Sequence, residues 1–267
     1  MDWLTPYLAD LSPLTLGLLG SVVAGLGTGV GALPMFFVPR LGSRTEDLLL
    51  GFSAGIMLAA SFFSLIEPAL ASAAESIGLG LPPALQVALG VMLGAFGLWR
   101  IHELVPHEHL VSGLEGPSDA RLERMWLIVL AVTLHNFPEG LAVGVGAGSP
   151  DVGNALSLVI GIGLQNMPEG LVVAVALAAA GHSHARAFLL ALLTGLVEPV
   201  GGLVGAAAVS VSAVVLPWGL AIAAGAMLFV ISNEIIPETH RRGHQVVVTF
   251  VLLAGFGLMM TLDQALT

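Results

Sequence analysis

The sequence predicts an all-α polytopic membrane protein: eight transmembrane helices with inverted-repeat character, both termini extracytoplasmic. Three observations carry this. Hydrophobic residues make up 56% of the chain and charged residues only 10%, with a mean hydropathy of +0.96, whereas soluble domains carry about 25% charged residues. Apolar runs long enough to cross a bilayer, roughly 18 residues or more, follow one another with short breaks. Nearly the same polar six residues, "HNFPEG" at 135–140 and "QNMPEG" at 165–170, sit inside two consecutive runs. No stretch is long and polar enough to fold in water, so residues 1–267 read as a single transmembrane domain.

Residues 1–13, "MDWLTPYLADLSP", hold two aspartates and no positive charge. They lack the basic start of a signal peptide, so the first run is expected to remain as a span. The spans lie near 14–38, 48–70, 84–105, 125–147, 154–179, 186–210, 214–236 and 246–265. Arg40 and Arg44 follow the first span. Arg100, Arg121 and Arg124 border the long connection at about 106–124, "PHEHLVSGLEGPSDARLER". Arg186 follows the fifth span, and Arg241 and Arg242 the seventh. All arginines thus fall on one side, and the other carries Asp2, Asp10, Glu75 and Asp151. The positive-inside rule makes the arginine side cytoplasmic. The even span count then puts both ends outside. On the cytoplasmic side also lie His107, Glu108, His109, His182, His184, His240 and His244. They read either as solvated loops or as weak metal-catching loops.

The eight basic residues are all arginine, so the chain has no lysine, and it has no cysteine. A phosphate-binding P-loop and a Schiff-base enzyme both need lysine and are excluded. Disulfides and thiolate ligands are excluded as well. A formal net charge of -10 argues against a nucleic-acid partner.

The doubled motif supplies the chemistry. His135 and Glu139 are four residues apart and share a helix face. Asn136 is turned about 100° away but can reach the same interior. Pro138 has no N–H and collides with the carbonyl of Leu134, so the helix is expected to open there. Such a break in lipid requires protein, water or an ion to satisfy the freed group. Gln165, Asn166, Pro168 and Glu169 repeat the pattern in the next, antiparallel span. The motif therefore enters the membrane from opposite sides, as in an inverted repeat with a site near mid-membrane. "AGIML" (54–58) and "AGAML" (224–228) echo this in the second and seventh spans. Gly140, Gly144 and Gly148, and Gly170, Ala174 and Ala178, recur every four residues, spacing that lets helices approach closely.

Further carboxylates are expected at depth: Glu198 before Pro199, Glu67 before Pro68, and Glu234 and Glu238 around Pro237. Each isolated membrane carboxylate costs about 2.5–3.5 kcal/mol on insertion scales. Glu139, Glu169 and Glu198 could not all stay ionised together unless something positive joined them. No lysine exists and the arginines sit at the interfaces, so the missing charge is a cation or protons. One imidazole, three carboxylates and three amides suit a borderline divalent metal such as Zn²⁺, Fe²⁺ or Mn²⁺. Met57 is a candidate soft ligand, although a lone methionine in an apolar helix is more often packing. His135 is the only histidine expected at mid-membrane.

"HNFPEG" followed by "QNMPEG" resembles the ZIP (Zrt/Irt-like) metal transporter family, in its bacterial GufA-like branch. The resemblance extends through "GFSAGIMLAASFFSLIEP", "PHEH", the "EP" of the sixth span and "NEIIPETHRRGH". It implies eight spans, a homodimer in a bacterial inner membrane, and import of Zn²⁺, with Fe²⁺, Mn²⁺ or Cd²⁺ also carried. It implies a primary metal on His135, Glu139, Gln165 and Glu169, with Met57 nearby. A second site would use Asn136, Glu139, Asn166, Glu169 and Glu198, the glutamates bridging. Some relatives have aspartate where this chain has Asn166. The family is also described as moving its first, fourth, fifth and sixth spans against the rest. The alternative from another class is an intramembrane metal-dependent hydrolase. It would want two or three histidines around an open metal position, and no H-E-x-x-H occurs here.

Overall fold

The computed structural model describes residues 8, 10–38, 40–75, 80–105, 107–109, 113–115, 124–149, 152–212 and 214–266. Asp2, Arg121 and Asp151, which entered the charge argument, lie outside them. Helices occupy all the places expected of spans. In chain order they are α1 (Pro13–Phe36), α2 (Ser43–Glu75), α3 (Pro83–Leu104), α4 (Arg124–Gly146), α5 (Val152–Ala179), α6 (His184–Val211), α7 (Val215–His240) and α8 (Gln245–Leu266). Seven of these are long and apolar enough to cross a membrane, and α4 is a 23-residue helix packed among them. Between α3 and α4 a short antiparallel hairpin pairs His107–His109 with Gly113–Glu115. The remainder of the 106–124 connection up to α4 lies outside the described residues.

Local chemistry sets the ends. Ser12 caps α1 by accepting the Thr15 N–H at 3.2 Å, with Pro13 in the first turn. Ser183 caps α6 on the Arg186 N–H. Between α5 and α6 the chain turns at Gly181, where φ is +100°, a conformation that a Cβ would strain. Helix α2 runs 33 residues, longer at both ends than the apolar run alone suggests.

The irregular turns are not where the motif prolines predict them. Helices α4 and α5 continue through Pro138 and Pro168. Each proline removes one hydrogen bond, but neighbouring helices hold the segment helical. The expected opening is corrected accordingly. The departures occur instead in α2 and α7, as π-helical stretches at Ala60–Ile66 and Ile231–Ile235. These follow "AGIML" and "AGAML" and precede Pro68 and Pro237. A wider turn there leaves room for a proline that lacks a donor. Helix α6 also breaks, at Leu196–Val197, and restarts at Glu198 with Pro199 in its first turn.

The most extensive helix pairings are α1 with α5, α4 with α6, α2 with α8 and α3 with α7. The main apolar cluster is centred on α2, α3 and α7 and includes Met57, Leu65, Val87, Leu220, Met227 and Ile231.

Candidate metal site

Backbone contact comes first, because it sets how near the side chains can come. A Cβ on Gly140 would stand 2.1 Å from the carbonyl oxygen of Glu198, and one on Gly170 would stand 2.1 Å from that of Thr28. The last residue of each motif is therefore the point where α4 meets α6 and α5 meets α1. Gly144 repeats the contact against Gly202 one turn on. The glycine spacing read from the sequence thus has its counterpart in helix contact, and it brings Glu139, Glu169 and Glu198 inward.

Two polar groups result. In the first, the His135 Nε2 and a Glu234 carboxylate oxygen are directly hydrogen-bonded. The other Glu234 oxygen is 3.0 Å from His102 Nδ1. The rings of His102 and His135 stack with centroids 6.2 Å apart. All three residues are buried. Among the described residues they are the one group of three His, Asp or Glu side chains whose ligand atoms come within 4.8 Å of one another. Glu169 and Glu238 are the other carboxylates facing His135.

The second group lies on α2, α5 and α6. Ser53 Oγ donates to Gln165 Oε1 at 2.7 Å. Gln165 Nε2 donates to Asn166 Oδ1 at 2.6 Å. Asn166 Nδ2 donates to Glu198 Oε1 at 2.6 Å and to the carbonyl of Ala24 at 2.9 Å. Asn136 and Glu139 are both 0% exposed; neither amide atom of Asn136 has a hydrogen-bond partner, and Glu139 has only the Gln165 amide to offer it a hydrogen. The second oxygen of Glu198 is likewise unpartnered. The charged groups nearest Glu139 are Glu169 and Glu198, with the Gln165 amide alongside. Buried polar atoms are rarely left unsatisfied in native proteins, and here they cluster on residues of the metal-ligand type. The donor set of oxygens with one or two imidazoles fits a divalent cation.

Three expectations need correction. His135 is not the only deep histidine, since His102, from the last turn of α3, is buried against it. Glu67 does not join the deep carboxylates; its side is exposed, because the π-helical stretch before it rotates the face that α2 presents. Glu234 and Glu238 are buried as expected, but Glu234 pairs with the motif histidine, a role the ligand list lacked. The available signal for Glu234 was a carboxylate near Pro237. For His102 it was a histidine within an apolar span. Met57 is buried in the main apolar cluster. Two of the described arginines form ion pairs away from the site, Arg100 with Glu103 and Arg242 with Glu46 and Asp47.

The ZIP zinc transporter family description matches residues 116–263. The chain is 49% identical over 250 residues to the zinc transporter GufA of Myxococcus xanthus, covering 94% of this chain and 98% of that one. It is 47% identical over 248 residues to the zinc transporter ZIPB of Bordetella bronchiseptica, covering 93% and 80%. It is 34% identical over 330 residues to human zinc transporter ZIP11, covering 93% and 96%. With a doubled proline–glutamate–glycine motif buried at helix crossings and likeness of this extent, the chain belongs to the ZIP zinc transporter family.

Proposed function

We propose that the protein carries divalent transition-metal cations into the cytoplasm, Zn²⁺ first, with Fe²⁺, Mn²⁺ and Cd²⁺ as further cargo. The protein is a multi-pass protein of the plasma membrane, and it is not an enzyme. One observation supports the reading above the others: Glu139 and Glu198 are buried, an oxygen of Glu198 has no hydrogen-bond partner, and the groups acting on the two carboxylates are amides and other glutamates rather than cations. Such groups are costly in a membrane unless a cation visits. Zinc uptake by vesicles holding the purified protein, run with several metals and with or without a pH gradient, tests it. Metal-dependent hydrolysis without uptake would favour the hydrolase alternative, which has no counterpart among the named relatives.

In this reading His135, Glu139, Gln165 and Glu169 hold the primary metal, with Met57 at its margin. Asn136, Glu139, Asn166, Glu169 and Glu198 form the adjacent second position. A homodimer belongs to the same proposal. All eight helices span, and both ends lie outside. The pairings α1–α5 and α2–α8 map onto α6–α4 and α7–α3 when helices 1, 2, 3 and 4 are exchanged with 6, 7, 8 and 5. The matched π-helical stretches of α2 and α7 agree with that exchange, which supports the inverted repeat. In this orientation the C-terminal ends of α3 and α7 face the cytoplasm. His102 and Glu234 then offer the next ligands to a metal leaving His135.

Orientation is tested by single cysteines introduced into the cysteine-free chain. Residues 43 and 75 are both exposed, at opposite ends of α2. A membrane-impermeant thiol reagent added outside should label position 75 and not 43. The reverse pattern would overturn the orientation.

Asn166 sets the expected metal count. It donates to Glu198 where an aspartate would place a second carboxylate. Two divalent ions a few ångströms apart repel strongly at low dielectric. Three glutamates balance about one and a half of them. Wild type should therefore hold one metal tightly and a second weakly or not at all. Asn166→Asp should raise the stoichiometry and slow release. It should also destabilise the metal-free protein, because like charges then meet at a 2.6 Å contact. Elemental analysis, transport rates and thermal unfolding in chelator check this. Two tightly held metals in wild type would count against the charge argument.

A further inference from the structure

We infer that Ser53 is a positioning residue for the metal site, acting through Gln165; this rests on the reading of Gln165 as a ligand. Ser53 is buried in α2, outside both motifs. Serine hydroxyls in membrane helices commonly bond back to the carbonyl one turn earlier. Ser21 does so to Gly17 at 2.6 Å, and Ser61 to Met57 at 2.8 Å. Ser53 instead reaches across to another helix. Its hydroxyl meets Gln165 Oε1 at 2.7 Å and the Gln165 carbonyl at 3.1 Å.

The consequence is directional. An amide side chain offers an acceptor at one end and donors at the other, and it can turn end for end. A carboxylate such as Glu198 only accepts. Glu198 and the Ala24 carbonyl accept from Asn166 Nδ2, which turns Asn166 Oδ1 toward Gln165 Nε2 and leaves Gln165 Oε1 for the Ser53 hydroxyl. The Gln165 amide is held at both ends, its oxygen by the Ser53 hydroxyl and its NH₂, which also faces Glu139, by Asn166. Partners of this kind, one shell out from the metal, typically alter metal affinity about 10–100-fold when removed. Asn166 is fixed by its own bonds to Glu198 and Ala24, so the hydroxyl acts on Gln165 alone.

The test uses the full-length protein in proteoliposomes with zinc uptake as the readout, and zinc titration of the detergent-purified protein beside it. Ser53→Ala should raise KM and weaken zinc binding about 10-fold, with the maximal rate within about twofold of wild type, since only binding is affected. Gln165→Ala should raise KM by at least as much. The double variant should be no worse than Gln165→Ala alone, because Ser53 has no other route to the metal. A Ser53→Ala protein with normal KM beside an impaired Gln165→Ala protein overturns the inference and leaves the ligand reading standing. So does a double variant whose losses multiply, or a fall in maximal rate at unchanged KM. A Gln165→Ala protein that binds and transports like wild type overturns the ligand reading and this inference together.

Discussion

Glu139→Gln is expected to abolish zinc uptake while making the metal-free protein more stable. Glu139 is fully buried, its one hydrogen-bonding neighbour is the Gln165 amide, and the charges acting on it are two more glutamates. In the absence of metal that arrangement opposes folding. Replacing buried charge with neutral groups of similar size is often neutral or stabilising, by about 1–4 kcal/mol. With metal bound, the balance reverses. Removing one partner of a buried charge pair costs about 3–5 kcal/mol, which is two to three decades or more in affinity. Thermal unfolding should therefore show a higher Tm than wild type in chelator. The Tm rise on adding zinc, seen in wild type because the ligand binds only the folded state, should be lost. Glu139→Ala should fail in transport in the same way, and so should Glu169→Ala. A Glu139→Gln protein that takes up zinc normally removes Glu139 from the site. One less stable than wild type in chelator shows that the Gln165 amide already outweighs the repulsion from the neighbouring glutamates.

Gly140→Ala is expected to give the largest loss of stability of any single-methyl addition in the motif, and to stop transport. The new Cβ would lie 2.1 Å from the Glu198 carbonyl oxygen and 2.6 Å from the Glu198 Cα. Both are backbone atoms, so no side-chain rotation relieves the clash. The neighbouring contacts, Gly144 with Gly202 and Gly201 with the Phe137 carbonyl, are as close and cannot yield locally. Helices α4 and α6 must separate, and Glu139 and Glu198 separate with them. Overpacking costs about 1–3 kcal/mol and occasionally more; with no soft neighbour, the upper end is expected. Gly97→Ala in α3 is the matched control, since nothing lies within 4 Å of its Cβ position. There alanine should be neutral or stabilise by about 0.5–1 kcal/mol through helix propensity. Thermal unfolding of both variants, with uptake beside it, separates a packing effect from a general intolerance of alanine.

By itself the sequence determined the class of the protein, the place of each helix and which polar residues of the two motifs lie buried between the helices. Those are properties of short stretches: apolar length against bilayer thickness, and polar residues at helical spacing on one face. The family followed from the doubled motif for the same reason, because six residues repeated on antiparallel neighbours are visible without coordinates. Tertiary structure alone decided which distant side chains meet those residues. His102 and Glu234 reach His135 from α3 and α7, and Ser53 reaches Gln165 from a helix 112 residues earlier in the chain. Where the prolines would disturb the helices was also a tertiary matter. Pro138 and Pro168 are carried inside continuous helices, while the irregular turns appear in α2, α6 and α7. A proline's missing hydrogen bond is a local fact, but whether the helix yields depends on the neighbours packed around it. The pairing of buried polar groups depends likewise on helix approach, and glycine backbones at the crossings set that approach.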